Sequence, residues 1–332
     1  MTNARFFGKL INVTIGLEMK AQYRPELRLA FSDMWGHGRY AFHPTRNYFY
    51  KLLSLYYNVS LVDHDPDLLI FSCFGNNHKN ISAKTKLFFC GENSIPSGCD
   101  RMIRPDYSKC DISLSQYPAS HRNYYFPLWA LFINWFHEAD TIDLPSNPTY
   151  LTNPKTLLWN RDTYIEEKTY DCCFMNNNHI PNRVALFELL NEKIFVNSYG
   201  KLHNNVGYLL RGHEGDKCDI LKNHKLTIAY ENSYRHGYNT EKIIHPYSVG
   251  SIPIYSGGLD RTVFNSKALF YIEDYASTEA MVEDIVSTIG DTSLYRAKLR
   301  EPLFVNNIIP DKFKPIAVLS WIAERLRETI NK

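Results

Sequence analysis

A chain of 332 residues has the length of about two domains, enough to bury substantial cores and leave a cleft between them. Its 37 basic and 35 acidic residues nearly cancel to a formal +2, which excludes the electrostatic footprint of a nucleic-acid binder. With 44% hydrophobic and 22% charged residues, the composition is that of a folded globular body, neither disordered nor fibrous.

Residues 1–20 hold one short apolar stretch, 11–17, interrupted by Asn12 and Thr14. It is too short and too polar for a signal peptide or a membrane span, so a cytoplasmic protein is expected. The seven cysteines are odd in number and scattered, without CxxC pairs or matching histidines. Neither a disulfide framework nor a zinc site is expected.

Residues 27–33 read as a strand, and 44–57 carry aromatic and leucine residues at helical spacing behind a proline suited to a first turn. Residues 59–62, 68–73 and 86–90 are short, apolar and β-branched or aromatic-rich, as strands buried on both faces are. This alternation suggests a parallel sheet running to about Trp135. Residues 137–168 turn polar and proline-bearing with no sustained period, which places a junction there, between an N-terminal domain over 1–150 and a C-terminal one over 151–332. Alternation then resumes, with strands at 170–175, 194–199, 226–230, 252–255 and 269–272 and helices at 182–193, 216–223, 240–249 and 277–289. The class is α/β, with a Rossmann-like second lobe. At the end, Leu319, Ile322, Ala323, Leu326 and Ile330 share one helical face. That stripe suits packing against the body better than docking on a bilayer, where weak peripheral contact at most is expected.

The densest polar cluster follows the strand at 226–230. Glu231-Asn232-Ser233-Tyr234-Arg235-His236-Gly237-Tyr238-Asn239-Thr240-Glu241-Lys242 leads into a helix, the place where α/β proteins bind ligands. Thr240 can cap that helix, turning its first amides toward an anion, with Lys242 adding charge. An equally good reading has Thr240 and Glu241 as ordinary cap and dipole partners, with Lys242 in solvent. Upstream, Asn176-Asn177-Asn178-His179-Ile180-Pro181-Asn182-Arg183 repeats the strand, loop and helix pattern and offers Arg183. The two cations suit a diphosphate leaving group. The chain has no GxGxxG, no P-loop and no DxD-like pair, so neither a dinucleotide nor a metal-bound triphosphate is favoured. Glu92 lies just beyond the strand at 86–90, where partial desolvation would make a carboxylate a better proton acceptor. By its residues alone it reads more readily as an ordinary loop acid.

Three segments resemble the α1,3/α1,4-fucosyltransferases, especially the bacterial ones. They are Ala229-Tyr230-Glu231-Asn232-Ser233, Gly237-Tyr238-Asn239-Thr240-Glu241-Lys242-Ile243 and Gly250-Ser251-Ile252-Pro253-Ile254-Tyr255-Ser256-Gly257. Met34-Trp35-Gly36, Gly91-Glu92-Asn93-Ser94 and Asn182-Arg183 add weaker matches in the right order. The resemblance implies two Rossmann-like lobes facing a central cleft, the glycosyltransferase B type. GDP-fucose would lie in the C-terminal lobe and an oligosaccharide acceptor over the N-terminal one, with inversion at the anomeric centre and no essential metal or cofactor. Glu92 falls on the general base, Arg183 and Lys242 on residues facing the diphosphate, and Glu241 on a donor contact near the ribose. Glu231, Asn232 and Tyr238 fall in the same donor site. Two departures stand out: the usual Tyr-Val-Thr-Glu-Lys reads Tyr238-Asn239-Thr240-Glu241-Lys242, and Gly237 replaces a polar residue before the tyrosine. The expected acceptor is a glycan containing N-acetylglucosamine or glucose, such as a lipopolysaccharide. Transfer of another activated deoxysugar, or non-catalytic binding of a nucleotide sugar or glycan, are the alternatives. Linkage and oligomeric state are not legible in the sequence.

Overall fold

The structure is a computed structural model that describes residues 24–36, 42–93, 102–136, 151–158, 168–177, 179–207 and 214–330. Two parallel sheets carry the fold. In the first, β1 (Glu26–Ser32), β2 (Asn58–Leu61), β3 (Leu68–Phe71), β4 (Thr85–Cys90), β5 (Ile112–Ser115) and β6 (Asn123–Tyr125) run in the order β2-β1-β3-β4-β5-β6. In the second, β7 (Tyr170–Phe174), β8 (Val196–Ser198), β9 (His224–Ile228), β10 (Ile252–Tyr255) and β11 (Phe270–Tyr271) run β11-β10-β9-β7-β8.

Period-2 geometry explains why the central strands are apolar throughout. Leu68 and Ile70 of β3, with Leu87 and Phe89 of β4, enter one core. Their neighbours Leu69, Phe71, Phe88 and Cys90 enter the core on the opposite face. β5 and β6 are more polar than the sequence pattern anticipates for a buried sheet. Ser113 and Ser115 are buried, and each donates 2.7 Å to Asn123 Oδ1 on β6, so these polar groups are paired internally.

The first helix, α1 (Tyr48–Ser54), begins four residues after Pro44. Asn47, not the proline, sets the start: its side chain accepts from the Tyr50 amide at 2.9 Å. The second lobe contains α2 (Pro181–Asn191), α3 (Glu214–Leu221), α4 (Glu241–Ser248) and α5 (Thr278–Gly290) close to the expected positions, and a further helix, α6 (Thr292–Leu299), that the sequence pattern does not announce. Of the expected junction at 137–168, residues 137–150 and 159–167 lie outside the described residues.

The last helix, α7 (Pro315–Ile330), packs its apolar stripe on the first sheet. Leu319, Ile322, Ala323 and Leu326 join the core that also holds β3 and β4. Thr329 Oγ1 lies 2.6 Å from Thr85 Oγ1, and Arg325 Nε donates to the His121 carbonyl. The same core crosses between the sheets through Trp129, whose ring packs edge-on against Phe264 and Phe313. No described helix is long and apolar enough to cross a membrane.

Candidate functional site

The second sheet reverses its strand order at β7, with β8 on one side and β9 on the other. Such a switch point opens a crevice at the carboxyl ends of the two strands. Residues after β7 and β9 line it. Arg183, in the first turn of α2, is buried. Its guanidinium donates to the Tyr230 carbonyl, to Asn232 Oδ1 at 2.6 Å and to Asn176 Oδ1 at 3.4 Å. Burial pulls Arg183 below its ordinary value, while Glu231, Glu241 and Tyr238 pull it back.

Thr240 caps α4, its Oγ1 accepting from the Lys242 amide at 3.4 Å. Lys242 Nζ lies 3.2 Å from Thr240 Oγ1, 3.1 Å from Glu241 Oε1 and 3.5 Å from Glu231 Oε2. Burial alone would lower the Lys242 ammonium. Glu241 and then Glu231 more than reverse that, and Arg183 repels it, so the two cations share one electrostatic neighbourhood. Glu241 also faces Lys217 Nζ of α3 at 3.7 Å. Its carboxyl would be raised by burial, but Lys242, Lys217 and His245 hold it well below the usual range.

Two glycines let these loops close. A Cβ on Gly258 would stand 1.9 Å from the Arg235 carbonyl oxygen. Gly237 has φ 78°, and a Cβ there would stand 2.9 Å from the Tyr125 hydroxyl of β6. The departure at Gly237 therefore belongs to the contact between the lobes.

Glu92 follows β4 at the carboxyl edge of the first sheet. Its amide lies 3.4 Å from Cys90 Sγ and its carbonyl accepts from Gln116 Nε2 at 3.0 Å. The next residue reaches across the cleft, Asn93 Nδ2 donating to Ser233 Oγ at 2.7 Å. Tyr238 is buried, and its hydroxyl is pushed up by burial and by Glu231, then by Glu92 and Glu241, against Lys242. Glu92 therefore sits within electrostatic reach of the second-lobe cluster, and the structure brings Glu92, Arg183, Glu231, Asn232, Tyr238, Glu241 and Lys242 to one cleft.

Sequence reasoning missed Lys217, Asn93, Gln116 and Tyr255 as members of this neighbourhood. Lys217 had no signal, because α3 is brought to α4 by tertiary packing alone. Tyr255 stood in the quoted segment before Ser256-Gly257, but only the fold sets its hydroxyl on Glu231, at 3.1 Å. Among the described residues, no group of three or more His, Cys, Asp or Glu is arranged to hold a metal ion.

Two parallel α/β sheets, with the segment after β4 of the first hydrogen-bonded to the loop after β9 of the second, make a two-lobed fold of the B type found in glycosyltransferases. The fold matches the crystal structure of an α1,3-fucosyltransferase with a TM-score of 0.69 at 19% identity, over 93% of this chain and 92% of that one. The same enzyme class crystallised with GDP-fucose gives 0.68 at 20% identity, over 93% and 92%. Residues 29–132 match the model of the α-(1,3)-fucosyltransferase FucT N-terminal domain, and 165–300 match that of the glycosyltransferase family 10 (fucosyltransferase) C-terminal region. The chain belongs to glycosyltransferase family 10. It is 23% identical over 292 residues to the α-(1,3)-fucosyltransferase FucT of Helicobacter pylori, covering 81% of this chain and 58% of that protein. The chain spans between 22% and 58% of the length of four curated relatives it matches.

Proposed function

We propose that the protein transfers L-fucose from GDP-fucose to a hydroxyl of a glycan containing N-acetylglucosamine or glucose, in α-1,3 or α-1,4 linkage and with inversion. What supports this reading is that Asn93, the neighbour of Glu92, donates to Ser233 Oγ of the second lobe at 2.7 Å, and that Glu92 and Lys242 both act on the Tyr238 hydroxyl. Glu92 takes the proton of the acceptor hydroxyl as its oxygen bonds to the fucose C1. On the opposite face the bond from C1 to the β-phosphate oxygen breaks, and the electron pair leaves with GDP. Lys242 and the α4 amino terminus, with Arg183 behind them, stabilise that charge. One carboxylate suffices, because the leaving diphosphate needs no proton, whereas an inverting glycosidase uses an acid and a base.

Glu241 and Asn232 complete the donor side, Glu241 toward the ribose. Binding the substrates on separate lobes lets closure align them and exclude the water that would hydrolyse the donor. A cytoplasmic location with weak peripheral membrane contact at most fits this reading, since α7 uses its apolar stripe on the first lobe. A lipopolysaccharide-type surface oligosaccharide is the acceptor class this reading carries. The test incubates purified protein with GDP-fucose and N-acetyllactosamine or lactose. Glu92→Gln should lower transfer by about 10²- to 10⁴-fold while keeping GDP affinity. A Glu92→Gln variant that transfers as well as wild type sinks the assignment of the base.

A further inference from the structure

Glu231 differs from its charged neighbours in being sealed. Its side chain has 0% exposure, whereas those of Lys242 and Glu241 keep 21% and 14%. Both its oxygens are engaged within the protein. Oε1 accepts from the Thr240 amide at 2.8 Å and from the Tyr255 hydroxyl at 3.1 Å. Oε2 lies 2.8 Å from Thr240 Oγ1 and 3.5 Å from Lys242 Nζ. The Tyr255 hydroxyl in turn accepts from Asn239 Nδ2 at 2.8 Å, and Asn239 Oδ1 accepts from the Asp260 amide at 3.3 Å. Asn239 itself is fully buried. A Cβ at Gly257 would stand 2.7 Å from Glu231 Cγ, so a glycine there leaves the carboxylate its room.

We infer that Asn239, Tyr255 and Glu231 are a relay of positioning residues: Asn239 orients the Tyr255 hydroxyl, Tyr255 fixes Glu231, and Glu231 holds Lys242 and the first turn of α4 where a donor diphosphate binds. The inference rests on the donor-site reading above and assigns Glu231 no contact with the donor. Each link polarises the next, which strengthens a buried chain of hydrogen bonds beyond its separate members. The relay also accounts for the departure at Asn239. Valine, usual at that position in the resembling sequences, has no donor for the Tyr255 hydroxyl, whereas asparagine supplies one. Burial raises the Glu231 carboxyl above its ordinary value, and Lys242 opposes the rise.

The test compares Tyr255→Phe and Glu231→Gln with wild type as full-length chains. GDP affinity is measured by calorimetry, guanosine binding by saturation-transfer NMR, and KM and kcat with GDP-fucose and acceptor. Loss of a hydrogen bond to a charged group should weaken GDP binding by about tenfold or more. Because the relay acts on the diphosphate end, the guanosine signal should persist, and the acceptor KM should stay within about twofold of wild type. Tyr255→Phe removes a single oxygen and keeps the test available if Glu231→Gln does not fold. Guanosine binding lost in step with GDP would overturn the inference by showing that Glu231 serves the nucleoside. GDP binding equal to wild type in the folded variants would overturn it as well. A wild-type chain that fails to bind GDP would instead remove the donor-site reading beneath it.

Discussion

Replacing Lys242 with methionine keeps the unbranched stem and removes the charge that two carboxylates share. Nζ stands 3.1 Å from Glu241 and 3.5 Å from Glu231. At an effective dielectric of about 20, unit charges so placed attract by about 5 kcal/mol. Solvent at the lysine end and the remaining charges of Arg183 and Lys217 reduce that figure. Breaking a buried pair from one side costs about 3–5 kcal/mol, so a loss of about 2–4 kcal/mol is expected. An unfolding entropy of about 2.1 cal/mol/K per residue makes that a fall in Tm of about 3–6 °C for a chain of this length.

The pH dependence has a definite sign. In wild type, Glu241 lies well below the ordinary carboxylate range because Lys242, Lys217 and His245 outweigh its burial. That lowered value contributes stability above the unfolded carboxylate range, and the contribution is lost as pH falls through the folded value. Glu231 is already raised by burial, and loss of the ammonium raises it further. Both carboxyls move up in the variant, so the wild-type advantage is largest at neutral pH and shrinks on acidification. Thermal unfolding followed from about pH 8 to about pH 3 covers the raised Glu231 carboxyl and the upper part of the fall toward the lowered Glu241 one. A Tm gap that stays constant over that range, or a variant as stable as wild type, would refute the account of these charges.

Gly258→Ala should destabilise the fold by at least about 2 kcal/mol in urea unfolding and weaken GDP binding, because the added methyl meets the backbone of Arg235; a neutral result would mean that the loop is not closed as described. Trp129→Ala should cost about 3–5 kcal/mol. Because Trp129 packs on Phe264 and Phe313 of the shared core, its loss should also split one calorimetric transition into two, and a single transition at the wild-type temperature counts against the shared core. Chelation with EDTA should leave the transfer rate unchanged if Arg183 and Lys242 supply the countercharge as proposed; activity lost to EDTA and restored by a divalent cation would contradict that.

The strongly patterned parts of the fold were legible in the sequence. β3 and β4 announce themselves because both faces are apolar, and α4 because Thr240 caps a helix directly after a polar loop. β5 and β6 were not foreseen. Their buried serines read as loop until Asn123 is seen to accept from both. Glu92, Arg183 and Lys242 could be picked out because each lies at the carboxyl end of a strand or the start of the following helix, a position that periodicity locates. Tyr255 and Asn239 could not, because their hydrogen bonds join residues 16 apart on different elements. Asn239 in particular looks like a minor variation in a motif, and only its burial shows that its amide must find partners.

The return of α7 to the first sheet has a practical consequence for anyone who would divide or recombine this protein. A cut within 137–168 would strip the N-terminal fragment of the rod that shields β4, while the C-terminal fragment would carry a greasy stripe with nowhere to lie. A chimera that imports a foreign nucleotide-sugar lobe should therefore stop before Pro315 and keep the native last helix with the recipient.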